Sequence, residues 1–273
     1  MEVTAVDVRA WIAEDLGAGD LTSEAVVPEG ARARAVILLK ERGVVCGLEP
    51  VRAVFEALDP EVAFEGIVAD GVESQGEFVR LEGDARALLG GERLALNLLG
   101  RLSGIATLTR RYVDAVDGTG ATILDTRKTT PGLRALEKEA VKAGGGVNHR
   151  FGLFDAILVK ENHAAMAGGV GAATAKALAA ADGLPVVVEC ATLGELREAL
   201  EAGARRVLLD NMPPATLREA VAISGGRAEL EASGGVSLET VRAIAESGVD
   251  YISVGALTHS AHALDISLLL DPL

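Results

Sequence analysis

Hydrophobic and polar positions follow two different patterns along the chain. Near its start, Val8, Trp11, Ile12 and Leu16 recur at helical spacing, with Thr4 available as the cap and Gly17 as the stop. Residues 14–22 read as a polar turn. Short β-type segments follow at 33–39, 44–46, 62–68 and 78–81, with a helix at 50–58 among them. This mixture predicts an α+β layer, and a long helical stretch at 85–116 leads out of it.

From residue 120 the pattern becomes strand, helix, strand, helix. Apolar runs stand at 122–124, 156–159, 186–188, 207–209, 228–230 and 251–254, separated by lengths that suit βα units. Two of the units repeat in sequence, because 201–209 (EAGARRVLL) matches 246–254 (ESGVDYISV), each with a Gly closing a helix before an apolar strand. Nearly continuous apolar strands in repeated βα units predict a parallel sheet under helices. Six or more units favour a barrel over an open sheet. The expected organisation is one domain over 1–110 and an α/β barrel domain over 111–273, with the C-terminal tail packing back on the first domain.

Composition narrows the function classes. Of 273 residues, 49% are apolar and 24% charged, which excludes a disordered chain. Aromatics at 3% are too few for a platform that stacks bases. A net charge of −14 argues against nucleic acid or an anionic membrane as partner, so an anionic ligand requires a local basic cluster. Cys46 and Cys190 lie far apart in apolar runs without CxxC spacing, which predicts buried thiols in a reducing compartment and no zinc site. The acidic, amphipathic start does not read as a signal peptide, and the uncharged run 164–175 is too short to span a bilayer. The protein is expected to be soluble and cytoplasmic.

The residues after each barrel strand carry the candidate chemistry. They are Asp125-Thr126-Arg127-Lys128, Lys160-Glu161-Asn162-His163, Glu189, Asp210-Asn211, Ser233-Gly234-Gly235 and Gly255-Ala256. In barrels the carboxyl ends of the strands hold the active site. Between Thr126 and Arg150 stand six Lys/Arg against two acids, so the basic cluster exists. Arg134, Lys138 and Lys142, spaced i, i+4, read as a solvated helix face. Arg127, Lys128, His149, Arg150 and Lys160 sit instead at strand ends or beside Gly144-Gly145-Gly146, where they predict a pocket for a small molecule rich in anionic groups. Glu189 and Asp210 could hold ribose hydroxyls, bind Mg²⁺ or steady an oxocarbenium ion; pairing with a neighbouring cation is the plainer alternative for either alone. Ser233-Gly234-Gly235 and Val254-Gly255-Ala256, followed by expected helix starts at Ser237 and Thr258, look like two phosphate-cradling turns. His259 could reach the phosphate or cap a helix.

Taken together, these stretches resemble the quinolinate phosphoribosyltransferase family over essentially the whole chain. The marks are 14–20 (EDLGAGD), 91–97 (GERLALN), 102–107 (LSGIAT), 125–129 (DTRKT), 144–150 (GGGVNHR), 160–163 (KENH), 209–211 (LDN), 233–235 (SGG) and 254–259 (VGALTH). The resemblance implies transfer of phosphoribosyl from phosphoribosyl pyrophosphate to quinolinate, with loss of pyrophosphate and CO₂, giving nicotinate mononucleotide for NAD synthesis. It implies an N-terminal α/β sandwich domain plus an incomplete, seven-stranded α/β barrel. Arg127, His149, Arg150 and Lys160 would bind the pyridine dicarboxylate, with Arg93 joining from the partner subunit of a homodimer with shared sites; a hexamer is the larger alternative.

Thr126 belongs to the same substrate-binding stretch. Lys128 would meet the pyrophosphate, Glu189 and Asp210 the ribose and its Mg²⁺, and Ser233, Gly234, Gly235, Val254, Gly255 and Ala256 the 5′-phosphate, with His259 nearby. Lys128, Lys160, Glu189 and Asp210 are the expected catalytic set. Val187 and Ala191 depart from the family, which usually has acids at those positions. Two alternatives share the fold: a related paralogue associated with molybdate transport that acts on another substrate, and a non-catalytic regulator that binds a phosphorylated sugar.

Overall fold

The computed structural model describes residues 5–273, so Thr4, the expected cap, lies outside the described residues. The chain forms two compact units. One takes the chain up to Leu108 together with Pro131–Gly145 and Ala261–Leu273; the other takes Thr109–Thr130 and Gly146–Ser260. A single cut at residue 110 therefore does not separate them, because two later segments return to the first unit.

The first unit begins with α1 (Ala5–Leu16) and α2 (Leu21–Val26). The second helix starts inside the stretch expected as a turn. Asp20 caps it, its carboxylate accepting from the amides of Thr22 and Ser23 at 3.0 and 3.1 Å. β1 (Arg32–Val44) is one long strand where two short ones were expected. Ala33, Ala35, Ile37 and Leu39 are buried on one face, and register shifts near Leu39 and Gly43 reset the alternation so that Val44 is buried as well. α3 (Leu48–Leu58) follows, then β2 (Ala63–Gly66), β3 (Glu73–Asp84) and the long α4 (Ala85–Ala115).

β4 (Thr122–Leu124) belongs to the second unit and α5 (Arg134–Ala143) to the first. Arg101 of α4 donates to Glu137 of α5 at 2.8 and 3.1 Å. That packing overturns the reading of α5 as a solvated face, because Lys138 is 1% exposed and only Lys142 of the three cations is exposed.

The second unit continues with β5 (Ile157–Val159), α6 (Glu161–Ala167), α7 (Val170–Ala180), β6 (Val186–Cys190), α8 (Leu193–Glu201) and β7 (Arg206–Asp210). It is completed by α9 (Pro214–Ser224), β8 (Glu229–Ser233), α10 (Val241–Ala245), β9 (Tyr251–Ser253) and α11 (Ala256–His259). Ser237 and Thr258 are not the helix starts; Ser237 lies in the turn that Thr240 closes, and α11 begins at Ala256. β10 (Ile266–Pro272) returns to the first unit, whose antiparallel sheet has the order β10-β1-β3-β2. β10 pairs with β1 from Ala33↔Pro272 to Leu39↔Ile266, which is why the tail packs there.

The second sheet is parallel, in the order β4-β9-β8-β7-β6-β5. Among the described residues it has six named strands, and the expected seventh is reduced to a single bridge, Val147 against Leu124. The chain leaves that edge at once, because the amide of His149 bonds to the Asp125 carboxylate at 2.9 Å. The sequence repeat has a geometric basis. Gly203 and Gly248 both take left-handed backbone, φ +97° and +93°, ending their helices just before β7 and β9.

Cys46 and Cys190 are buried and free. Burial first, then nearby carboxylates, push both thiols up, Cys190 to about 12. No helix among the described residues is long and apolar enough to cross a membrane.

Candidate active site

Six parallel strands laid flat would spread their ends over about 24 Å at ~4.8 Å per strand. In this unit, residues that follow or end all six strands line one cavity of about 690 Å³, so the sheet curls into an open barrel. Thr126, Arg127 and Lys128 come from the end of β4, Lys160 and His163 from β5, Glu189 from β6 and Asp210 from β7. Ser233, Gly234 and Gly235 come from β8, and Gly255, Ala256 and His259 from β9; His149 and Arg150 enter from the loop after Val147.

Two of the expected site residues stand elsewhere. Val254 is 1% exposed and outside the cavity, and its amide is consumed by the Leu124 carbonyl at 2.9 Å, so the β9 turn offers only Gly255 and Ala256. Arg93 is exposed on α4 in the other unit.

The cationic end is under electrostatic tension. Burial, then the charge of Arg127, holds the Arg150 guanidinium below its usual range, with Asp155 opposing. Arg127 Nε is buried and, among the described residues, meets no acceptor. A buried donor without a partner costs about 1–3 kcal/mol, so it points to a ligand. Local bonds hold the loops in place: Thr126 Oγ1 accepts from the Lys128 amide at 3.1 Å, and Thr258 Oγ1 donates to the Lys128 carbonyl at 2.8 Å.

The acidic part consists of Glu189 and Asp210. Burial raises the Glu189 carboxyl above its ordinary value; Lys160 lowers it, while Asp210 raises it further. Asn211 donates from Nδ2 to the Asp210 carboxylate at 2.8 Å, itself in left-handed backbone at φ +55°. In the glycine turn after β8, Gly234 and Gly235 have φ +95° and +60°. Their amides and those of Gly255 and Ala256 meet no acceptor among the described residues. His259 Nδ1 contacts Ser260 Oγ at 2.6 Å.

Comparison with known proteins decides the family. The quinolinate phosphoribosyl transferase N-terminal domain matches residues 20–103 and its C-terminal domain residues 105–269. The probable nicotinate-nucleotide pyrophosphorylase [carboxylating] of Bacillus subtilis is 47% identical over 93% of this chain and 89% of its own. Quinolinate phosphoribosyltransferase [decarboxylating] 1 of Nicotiana glauca is 43% identical over 97% of this chain and 81% of its own. The crystal structure of NadC from Streptococcus pyogenes is 38% identical and superposes with a TM-score of 0.95, covering 100% of this chain and 99% of that one.

The chain belongs to the quinolinate phosphoribosyltransferase family.

It is a pentosyltransferase of NAD biosynthesis, and its fold is the family's N-terminal domain plus α/β barrel. In this member of the family Val187 is 2% exposed in the barrel core and Ala191 borders a side crevice, so neither lines the cavity. Sequence reasoning missed Glu231 and Ser253, which line it from within β8 and β9. The available signal was a carboxylate interrupting the inward-facing positions of an apolar run. It also missed Leu158 and Leu208, which give the cavity an apolar wall.

Proposed function

We propose that the cavity holds quinolinate at its cationic end and phosphoribosyl pyrophosphate across its carboxylates and glycine turns. The buried, partnerless Arg127 Nε carries this reading. A substrate carboxylate gives it an acceptor in the two-point manner that suits guanidinium, with Arg150 and Lys160 serving the same dianion. Leu158 and Leu208 suit the faces of a pyridine ring.

The pyridine nitrogen attacks ribose C1 as pyrophosphate leaves with the C1–O electrons. Glu189 and Asp210 steady the cationic sugar, while Lys128 and the turn amides meet phosphate oxygens. Ring N1 then carries positive charge. The bond from C2 to its carboxylate breaks, CO₂ departs, and the electron pair left on C2 beside N1 takes a proton. No protein nucleophile is needed, in keeping with two buried, protonated thiols.

Among the described residues no group of three or more His, Cys, Asp or Glu could hold a metal by itself. The Glu189–Asp210 pair fits a Mg²⁺ that keeps most of its oxygen ligands from pyrophosphate and water. When bound, Mg²⁺ neutralises charge on the leaving pyrophosphate. Incubation with quinolinate, phosphoribosyl pyrophosphate and Mg²⁺ is expected to release nicotinate mononucleotide, pyrophosphate and CO₂ in equal amounts. Absence of nicotinate mononucleotide from a folded preparation would overturn the reading.

One prediction concerns the two glycine turns. A Cβ on Gly234 would lie 2.2 Å from Asn211 Oδ1, at a backbone φ of +95°. On Gly255 it would meet only the flexible Lys128 Cδ and the His259 ring, at 3.1 and 3.2 Å, without a positive φ. Gly234→Ala should therefore raise the KM for phosphoribosyl pyrophosphate by ~10-fold or more, and Gly255→Ala by less than ~3-fold. Steady-state kinetics at saturating quinolinate check the order; equal effects would contradict it.

The protein is further proposed to act in the cytoplasm as a homodimer, with the partner subunit's Arg93 completing each site. Free buried thiols support a reducing compartment, and the family likeness supports the shared site. Arg93→Ala and Lys160→Ala should each be nearly inactive. After mixing and subunit exchange, about a quarter of sites should be intact if the dimer is two-fold and pairing is random. No recovery despite exchange seen by mass spectrometry would exclude a shared site.

A further inference from the structure

Glu231 is fully buried in the middle of β8, yet it reaches the cavity from inside the barrel. Its Oε2 accepts from Arg206 Nη2 and Nε at 2.8 and 3.2 Å; Arg206 enters from the opposite, amino-terminal end of β7. Its Oε1 accepts from the Ser253 hydroxyl and lies 3.5 Å from His149 Nε2. Burial opposes its ionisation, but the contacts with His149, Ser253 and Arg206 outweigh that, and the carboxyl titrates below its ordinary value.

The imidazole is engaged at both nitrogens. His149 Nδ1 accepts the amide N–H of Arg150 at 2.7 Å, so the ring proton is on Nε2, facing Glu231. The amide of His149 is itself held by Asp125. A continuous path therefore runs from Arg206 through Glu231 and His149 to the backbone of Arg150. Replacing a buried ion pair with apolar residues is often neutral or stabilising, so stability alone does not account for this one.

We propose that Glu231 is a positioning residue, which holds His149 in its Nε2–H tautomer and thereby sets the Arg150 backbone at the dicarboxylate end of the cavity. The kinetic consequence rests on the quinolinate reading above; the tautomer does not. His149 accordingly acts through Arg150, with its own nitrogens turned into the protein.

Glu231→Gln tests the proposal with little change of shape. The two Arg206 donors claim the amide oxygen, leaving the NH₂ group to face His149, which must then accept at Nε2 and carry its proton on Nδ1. That switch breaks the bond from the Arg150 amide.

With ¹⁵N-labelled histidine, and His149 assigned by its loss in His149→Gln, the wild-type ring is expected as Nε2–H and the Glu231→Gln ring as Nδ1–H. The KM for quinolinate should rise ~10-fold while that for phosphoribosyl pyrophosphate changes less than ~2-fold. In a His149→Gln background, Glu231→Gln should add less than ~2-fold, because both act on one path.

An Nδ1–H or doubly protonated His149 in the wild-type protein overturns the proposal without any variant, so a Glu231→Gln that fails to fold leaves it testable. An unchanged tautomer in Glu231→Gln, equal rises in both KM values, or additive losses in the double variant also overturn it. Wild-type protein inactive on quinolinate would refute the substrate reading, and the tautomer measurement would still decide this one.

Discussion

Nicotinate is expected to be a poor substrate beside quinolinate, with kcat/KM lower by ~30-fold to several thousand-fold. The ring nitrogen attacks ribose in both molecules, and in nicotinate it has no ortho carboxylate crowding it, so weak nucleophilicity is not what disfavours nicotinate. Nicotinate lacks the C2 carboxylate, and one of the cations gathered at that end is then left buried without its partner. Among the described residues Arg127 Nε has no acceptor to fall back on, and Arg150 is already disfavoured by burial and by Arg127. Removing one side of a desolvated charge pair costs about 2–5 kcal/mol, the range from which that fold-change is taken. Competition kinetics on the two acids at one phosphoribosyl pyrophosphate concentration check it. Comparable turnover would refute the assignment of the cationic end, and with it the preference for quinolinate over the substrate of a paralogue.

The second large effect belongs to the carboxylates. Glu189→Gln and Asp210→Asn are each predicted to lower kcat by ~10²–10³ while leaving quinolinate affinity nearly unchanged, since a preorganised charge aimed at the transition state is lost and the dicarboxylate contacts are not. Isothermal calorimetry with quinolinate separates the two; lost affinity with preserved turnover would reverse the roles.

The pH profile gives an independent check. Burial, reinforced by Asp210 and opposed by Lys160, raises the Glu189 carboxyl above 4.5. On the proposed role, in which the ionised form steadies the ribose, activity should fall on the acid side at a pH above that value. Asp210→Asn removes a like charge and should move this limb to lower pH; Lys160→Ala removes an opposite charge and should move it higher, read on the residual activity. An acid limb that responds to neither substitution would assign it to another group.

Much of the barrel was legible because its signals are local. An apolar strand, a glycine closing the preceding helix and a polar exit are written within a few residues, as at 201–210 and 246–256. Gly203 and Gly248 take the left-handed backbone that the repeat implies. The strand exits identified Thr126, Arg127, Lys128, Lys160, Glu189 and Asp210, and the barrel gathers all six at one cavity. The antiparallel sheet was harder to read. β1 has its alternation reset by register shifts, and β10 exists as a strand only because β1 presents an edge more than two hundred residues earlier in the chain.

The two patterns of elements, the family and the inventory of charged groups at the strand ends were all readable along the chain. Those follow from residue type and spacing, which short-range chemistry interprets. Which groups stay unsatisfied was settled by folding. Val254 loses its amide to Leu124, Lys138 turns from a surface cation into a buried one, and Arg127 Nε is buried with no acceptor among the described residues. It also decided that Glu231, a carboxylate inside an apolar strand, meets Arg206, Ser253 and His149 from three other segments of the chain. Whether a polar group is paired, buried or free depends on neighbours distant in sequence, and closing the barrel is what brings them together.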